Sequence, residues 1–232
     1  MGFIGKITKW IFILCLPVML LTASIAWAVN SVWLYEYGFT KYNISQQTGL
    51  VLSELDKTVG GLIQYFNSED ENISLKVVKD GRSFELFNQR EVAHLRDVKN
   101  LFWLDYRVML GTTIYVLSFA GIYLFRRKDR RKLASCVVIG SGLTTAIILA
   151  LGIGAVISFD QLFLQFHLLS FANDFWQLDP TKDYLIMLFP QGFWYDATLF
   201  CALATVVGAL GLGGVSVWYL RYAGERLIRP DS

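Results

Sequence analysis

Charge is scarce in this 232-residue chain. Only 17% of its residues are Asp, Glu, Lys or Arg, and the net charge is +2, where soluble domains carry about 25% charge. So small an excess makes no field that would hold nucleic acid, and no nucleic-acid partner is expected. Cysteine is as sparse. Cys15, Cys136 and Cys201 all fall in apolar runs and none has metal-type spacing, so no disulfide framework is written here. Nucleophile motifs are missing as well: Gly140-Ser141-Gly142 is not a nucleophile elbow and lies inside an apolar run. Histidine occurs only twice, as His94 and His167.

What the chain has is apolar length. It is 54% hydrophobic, and four runs reach the ~20 residues that a hydrocarbon core requires. They cover about 10–34, 103–125, 133–157 and 197–220, with the uncharged part of the second starting at Val108. The first run contains an A-x-A shape at Ala26-Trp27-Ala28, but it exceeds the 7–15 residues of a signal-peptide core, and Leu14 before Cys15 argues against a lipobox. A retained membrane anchor is expected.

Cations set the expected orientation. Lys6 and Lys9 precede the first run, Arg126, Arg127, Lys128, Arg130, Arg131 and Lys132 fill the second joint, and Arg221, Arg226 and Arg229 follow the fourth. The two remaining segments, 35–102 and 158–196, hold 15 acidic against 9 basic residues. Both termini and the basic joint are therefore expected in the cytoplasm. The basic joint could also meet anionic lipids, although it is first of all the orientation signal. The fold class expected is a mainly α membrane protein. One membrane domain over 1–232 would carry four transmembrane helices, a small extracytoplasmic α+β cap (35–102) and an aromatic-rich outer loop (158–196).

Within the cap, Val51, Leu55, Leu62, Ile63 and Phe66 recur at helical spacing and predict an amphipathic helix over 46–66, weakened by Gly60-Gly61. Period-two alternation on either side of Asp80-Gly81 predicts a hairpin. Asn88 and Glu91 have capping-box spacing, and the helix they start is expected to run unbroken into the second span. His94 would then stand near the membrane surface, with Asp105 and Arg107 at the outer interface. Those two, two residues apart, cannot pair on a helix. In the outer loop, 11 of 39 residues are aromatic, too many for an exposed connection. Asp179-Pro180 and Pro190 break helices, so this segment folds back instead of spanning. In the last span, Ala204, Gly208, Gly211, Gly213 and Gly214 suggest close helix packing.

Both histidines fall in the outer layer with aspartates nearby, and an imidazole pKa near ~6.5 suits proton transfer at neutrality. A metal site from His94, His167 and a carboxylate lacks any H-E-x-x-H or paired Cys/His spacing, so no metal or cofactor is expected. Asp97 could orient His94 or pair with Arg90 or Arg96. Asn173 and Asp174 could bind an ammonium group or cap a turn. Asp105 and Arg107 are secondary candidates, because charges at the bilayer edge are costly unless paired or hydrated.

The run Phe166-His167, Phe171, Asn173-Asp174, Trp176, Asp179-Pro180, Asp183, Leu185-Ile186, Phe189-Pro190 and Phe193-Trp194 resembles the signature of the bacterial lipoprotein intramolecular transacylases. So does His94-Leu-Arg-Asp97-Val98 leading into the second span. The resemblance extends over the chain in length and four-span plan. It implies an enzyme of the bacterial cytoplasmic membrane that acts at the outer face on diacylglyceryl lipoproteins among membrane lipids. The acyl chain at the glyceryl sn-2 position would move to the α-amine of the N-terminal cysteine, giving the lyso form. The family's two catalytic histidines fall on His94 and His167, with Asp97, Asp105, Arg107, Asn173, Asp174, Trp176 and Trp194 as binding or orienting candidates. Two alternatives stay open: a non-enzymatic lipid- or lipoprotein-binding membrane protein, and a membrane metallohydrolase.

Overall fold

The computed structural model describes residues 3–228; Arg229 and the Arg226 side chain, both counted in the charge pattern, lie outside what it describes. Four helices are long and apolar enough to cross a membrane, Ile4–Val29, Gln89–Arg126, Arg130–Ser170 and Gln191–Tyr222. The full order is α1 (Phe3–Val29), α2 (Val32–Lys41), α3 (Ile44–Thr48), α4 (Leu52–Asn67), β1 (Lys76–Lys79), β2 (Arg82–Glu85), α5 (Gln89–Gly121, continued by a π turn over Ile122–Arg126), α6 (Arg130–Ser170), α7 (Tyr184–Leu188) and α8 (Gln191–Ile228). The expected mainly α fold with a small α+β cap is present.

The described chain divides into two compact units. One, the span unit, takes the residues up to Ile25, Asp105–Ile153 and those from Phe200; the other, the head unit, takes Ala26–Leu104 and Gly154–Leu199. The span unit packs around Phe12, Ile13, Leu16, Val116, Phe119, Tyr123 and Cys136. Phe119 is the hub, with Phe12 on one side and Tyr123 on the other, each at 4.5 Å between ring centres. Of the small residues in the last span, Gly208 lies against Leu20 and Gly213 against Ser141, whereas Gly211 and Gly214 face open space. The close-packing expectation therefore applies to part of that stripe.

In the head unit the structure departs from the expected boundaries in places that local chemistry explains. The first apolar run breaks at Asn30, whose side chain donates to the Ala26 carbonyl at 2.8 Å and ends α1. Val32 then starts a separate helix. The amphipathic cap helix begins at Leu52, because Gly49 adopts φ +69 and Val51 is extended. Leu55, Val59, Leu62 and Phe66 form its buried stripe, while Val51 is 59% exposed. Gly60-Gly61 does not interrupt α4. A Cβ at Gly61 would come 2.4 Å from Leu75 Cδ1, so the glycine lets the strand side approach. The hairpin forms as expected, Lys79 opposite Arg82, with Asp80 and Gly81 both at positive φ as a type I′ turn demands.

The start of α5 is a reciprocal capping box. Asn88 Oδ1 accepts from the Arg90 and Glu91 amides, and Glu91 Oε2 accepts from the Asn88 amide at 2.8 Å. The helix then runs 33 residues without a break, about 50 Å at ~1.5 Å per residue. That exceeds a ~30 Å hydrocarbon core. Its first turns, with Arg90, Glu91, Arg96, Asp97 and Lys99, extend past the apolar span, and His94 lies on that extension. In α6 the backbone turns non-helical at Ser158 (φ −155, ψ 76). Residues 159–170 are thus a second helical segment beyond the span, where an outer loop was expected. Pro190 directly precedes α8 and Pro180 lies in the turn region after Trp176, both outside helices as expected.

Candidate active site

His94 comes from the α5 extension and His167 from the segment after the Ser158 kink. Their rings lie 6.2 Å apart and 30° from parallel. Both are buried, at 7% and 8% exposure. Phe171 lies edge-on to His94 at 5.0 Å. Around His167 stand Phe163 at 4.4 Å, Phe166 at 5.4 Å and Trp176 at 5.0 Å. Four aromatics of the outer segment thus enclose the two imidazoles, while Phe189 and Phe193 pack against Tyr35 instead.

Burial among rings disfavours the imidazolium form. His94 is pushed down to about 4, first by burial and then by the neighbouring His167, with the Asp97 carboxylate opposing. His167 is also held below the usual histidine range by burial, opposed by its bond to the Phe163 carbonyl. Both rings are neutral at pH 7. That bond also assigns a tautomer. The contact from His167 Nδ1 to the Phe163 carbonyl oxygen is 2.8 Å, and a carbonyl only accepts, so Nδ1 carries the hydrogen. Nε2 keeps its lone pair. His94 is the complement: its buried Nδ1 has no hydrogen-bond partner among the described residues. A polar atom this enclosed is ordinarily bonded.

The remaining candidates divide. Asp97 is held by Asn173, whose amide donates to Asp97 Oδ2 at 2.8 Å, not by either arginine. Arg96 pairs with Glu71 at 3.0 Å, and Arg90 donates to the Asp174 backbone carbonyl at 2.6 Å. Asn173 also caps a turn by accepting from the Phe175 amide. Asp174 contributes that carbonyl, with its side chain accepting from Gln177. Trp176 touches His167 directly, while Trp194 stands one ring back, 6.4 Å from Phe163. Asp105 and Arg107 belong to the span unit and are not members of this cluster. Asp105 Oδ2 is buried without a hydrogen-bond partner among the described residues, and Arg107 is exposed.

Sequence reasoning passed over one set of groups. Glu91, 1% exposed, spans from its own cap to a distant amide, accepting from Leu185 at 2.7 Å. Asn88 donates to Asp183 at 2.9 Å. The capping-box spacing marked Asn88 and Glu91 only as a helix start. Among the described residues, no group of three or more His, Cys, Asp or Glu side chains is arranged to hold a metal ion.

Known proteins share this plan. A solved structure of the membrane-integral lipoprotein intramolecular transacylase Lit from Bacillus cereus matches with a TM-score of 0.82 at 24% identity, over 97% of this chain and 99% of that one. A Bacillus cereus Lit variant with a histidine-to-alanine substitution matches at 0.78 and 23% identity, over 97% of each chain. At such identities the likeness is one of fold. An uncharacterized protein of Aquifex aeolicus is 31% identical over 156 residues, which are 66% of this chain and 63% of that protein's length. The family described as lipoprotein intramolecular transacylase Lit matches residues 10–194. That is well over half of the chain, which therefore belongs to the Lit family of lipoprotein intramolecular transacylases, acyltransferases integral to the membrane.

Proposed function

We propose that this chain moves the sn-2 acyl group of a diacylglyceryl lipoprotein to the α-amine of its N-terminal cysteine. His94 and His167 are the catalytic pair. The observation that carries this reading is the pair itself: two neutral imidazoles ring to ring, enclosed by aromatics, with one free Nε2 lone pair and one unpartnered Nδ1.

The chemistry follows from those atoms. An α-ammonium with a pKa of ~7.7–8.0 must lose a proton before nitrogen attacks an ester. That first proton leaves to solvent, and His167 Nε2 accepts a second one from the nitrogen as it attacks. The amine nitrogen bonds to the sn-2 carbonyl carbon, and the carbonyl oxygen becomes an oxyanion. His94, neutral, offers one N–H and one lone pair, and its N–H stabilises that oxygen. Collapse breaks the bond to the glyceryl oxygen, which takes the proton held by His167. The products are an amide and a free sn-2 hydroxyl, with no change in mass. Amine and ester belong to one molecule, and positioning alone contributes up to ~7–11 kcal/mol in ideal intramolecular cases. No enzyme nucleophile is needed. Rings around the imidazoles keep water from hydrolysing the ester. Asp97, fixed by Asn173, acts electrostatically on His94, and Trp176 packs against His167 with Trp194 one ring further back.

The head unit lies at the outer face of the bacterial cytoplasmic membrane, with the termini and the Arg126–Lys132 joint in the cytoplasm, as the cation distribution supports. The test is to express the chain in cells that make diacylglyceryl lipoproteins and fragment an N-terminal lipopeptide by tandem mass spectrometry. An acylated α-amine with a monoacylglyceryl thioether is expected. An unaltered diacylglyceryl peptide, with the protein present in the membrane, would overturn the reading.

A further inference from the structure

We propose that Glu91 is a positioning residue for His94: it ties the first turn of α5 to the segment 179–188 and so sets the angle at which the imidazole meets the reacting groups. This rests on the reading of His94 as catalytic.

Glu91 does more than its local motif requires. A capping box uses one side-chain oxygen, and here Oε2 serves that purpose on the Asn88 amide. The second oxygen, Oε1, accepts from Leu185, 94 residues away in sequence. The carboxylate is 1% exposed and no cation lies within ion-pair distance of it among the described residues. Buried carboxylates are ordinarily paired. Asp183, at 4% exposure, is a second one in the same position. Its Oδ1 accepts from Asn88 Nδ2 and its Oδ2 from the Asp179 amide at 2.7 Å.

Two enclosed acids facing one asparagine are costly to assemble. Burial and the Asp183 charge both raise the Glu91 pKa, and only backbone donors oppose them. Starting a helix does not call for such an arrangement, since a neutral glutamine completes a capping box. What the carboxylate adds is a fixed geometry between two remote segments. His94 is one helical turn beyond Glu91. Asn88, Arg90, Glu91 and Asp97 make ties on both sides of it, to Asp183, the Asp174 carbonyl, Leu185 and Asn173 respectively. The stretch that carries Phe171 and Trp176 is thereby strapped to α5 on either side of His94.

Glu91→Gln tests this with nearly unchanged volume. One oxygen becomes an NH2 group, which must face a backbone N–H donor to donor, so one of the two ties is lost. On a diacylglyceryl-cysteinyl lipopeptide in mixed micelles, kcat is expected to fall by about a hundredfold, the scale of a ~1 Å misplacement, with KM unchanged. Because the chain has only two histidines, histidine-selective 15N NMR of the detergent-solubilised protein resolves both rings. The His94 imidazole signals are expected to move and those of His167 to stay. Any other pattern overturns the proposal: unchanged kcat, a rate loss with unmoved His94 signals, or both rings shifting together as a general loosening would cause. Where Glu91→Gln does not accumulate, Glu91→Asp, which keeps the carboxylate but is one methylene too short to hold both ties, is read in the same two ways. If the unsubstituted protein transfers no acyl group, the proposed reaction fails, while the His94 signals still report on the tie.

Discussion

The two units solve the same problem in opposite ways. In the span unit, hydroxyls bond back into their own helices: Thr22 to Val18, Ser24 to Leu20, Thr112 to Val108, Thr144 to Gly140 and Thr145 to Ser141. Surrounded by hydrocarbon, a polar group must be satisfied inside its own segment. In the head unit, side chains bond across elements, and all five ion pairs found among the described residues are there. Lys41 of α2 and Tyr42 just after it both meet Asp196 of α8, and Glu54 of α4 accepts from the Val78 amide of β1. Apolar packing can hold helices together, but it does not aim individual atoms. Directional bonds between remote residues do; the span unit has a few, such as Tyr115 to the Thr8 carbonyl and Thr205 to Ser24, and the head unit, which has more, also holds the histidines.

That contrast can be broken by substitution. The largest effect is expected from His167→Ala, which removes the Nε2 base. Tandem mass spectrometry should show lyso product forming about 10²–10⁴-fold more slowly, with the protein still in the membrane; undiminished transfer would remove His167 from the mechanism. Leu16→Ala acts on the other unit. Leu16 is 1% exposed in the span core, and its loss should cost about 2–5 kcal/mol of stability, seen as a lower Tm in micelles. Transfer per folded molecule should not change. A matching loss of kcat would show that the units are not separable in this sense.

Acidity sharpens the comparison in the head unit. The unfolded chain binds protons on its histidines near 6.5, whereas folded His94 does so only at about 4, and folded His167 is shifted in the same direction. Between those limits the unfolded state binds more protons, so stability is full above about 6.5 and falls as pH drops toward 4. Thermal melts from pH 7 to 4.5 should show this slope, and His94→Phe should flatten it. An equal slope in the variant would locate the acid sensitivity elsewhere. The smallest effect is expected from Thr205→Val. Thr205 is fully buried, 3.0 Å from Ser24 and 2.7 Å from the Cys201 carbonyl. Hydrogen bonds between membrane helices average only ~0.6 kcal/mol, so Tm should barely move.

Much of this was legible beforehand. Apolar length identified four spans, and period-two alternation around Asp80-Gly81 identified the hairpin. The Asn88–Glu91 spacing identified the start of α5. Boundaries were read less well where a single side chain or dihedral decides them. Asn30 ends α1 by bonding Ala26, and Gly49 separates α3 from α4 by its positive φ. The meeting of the two histidines was legible in part, because two histidines near an aromatic run stand out by composition, whereas Asp105 and Arg107, singled out with them, belong to the other unit. The site's partners were not legible. Asp97 lay three residues from His94 on a helix with two arginines in reach, and nothing in the spacing favoured Asn173.

By itself, the sequence determined which segments could lie in hydrocarbon and which residues could carry a proton, since hydropathy and side-chain chemistry are properties of the residues alone. Tertiary structure decided which of those residues meet. The bonds from Asn173 to Asp97 and from Leu185 to Glu91 cross 76 and 94 residues of chain. So did the burial that holds both imidazoles neutral. A hydrogen bond depends on tenths of an ångström between groups that no sequence period relates, and burial depends on everything packed around the group.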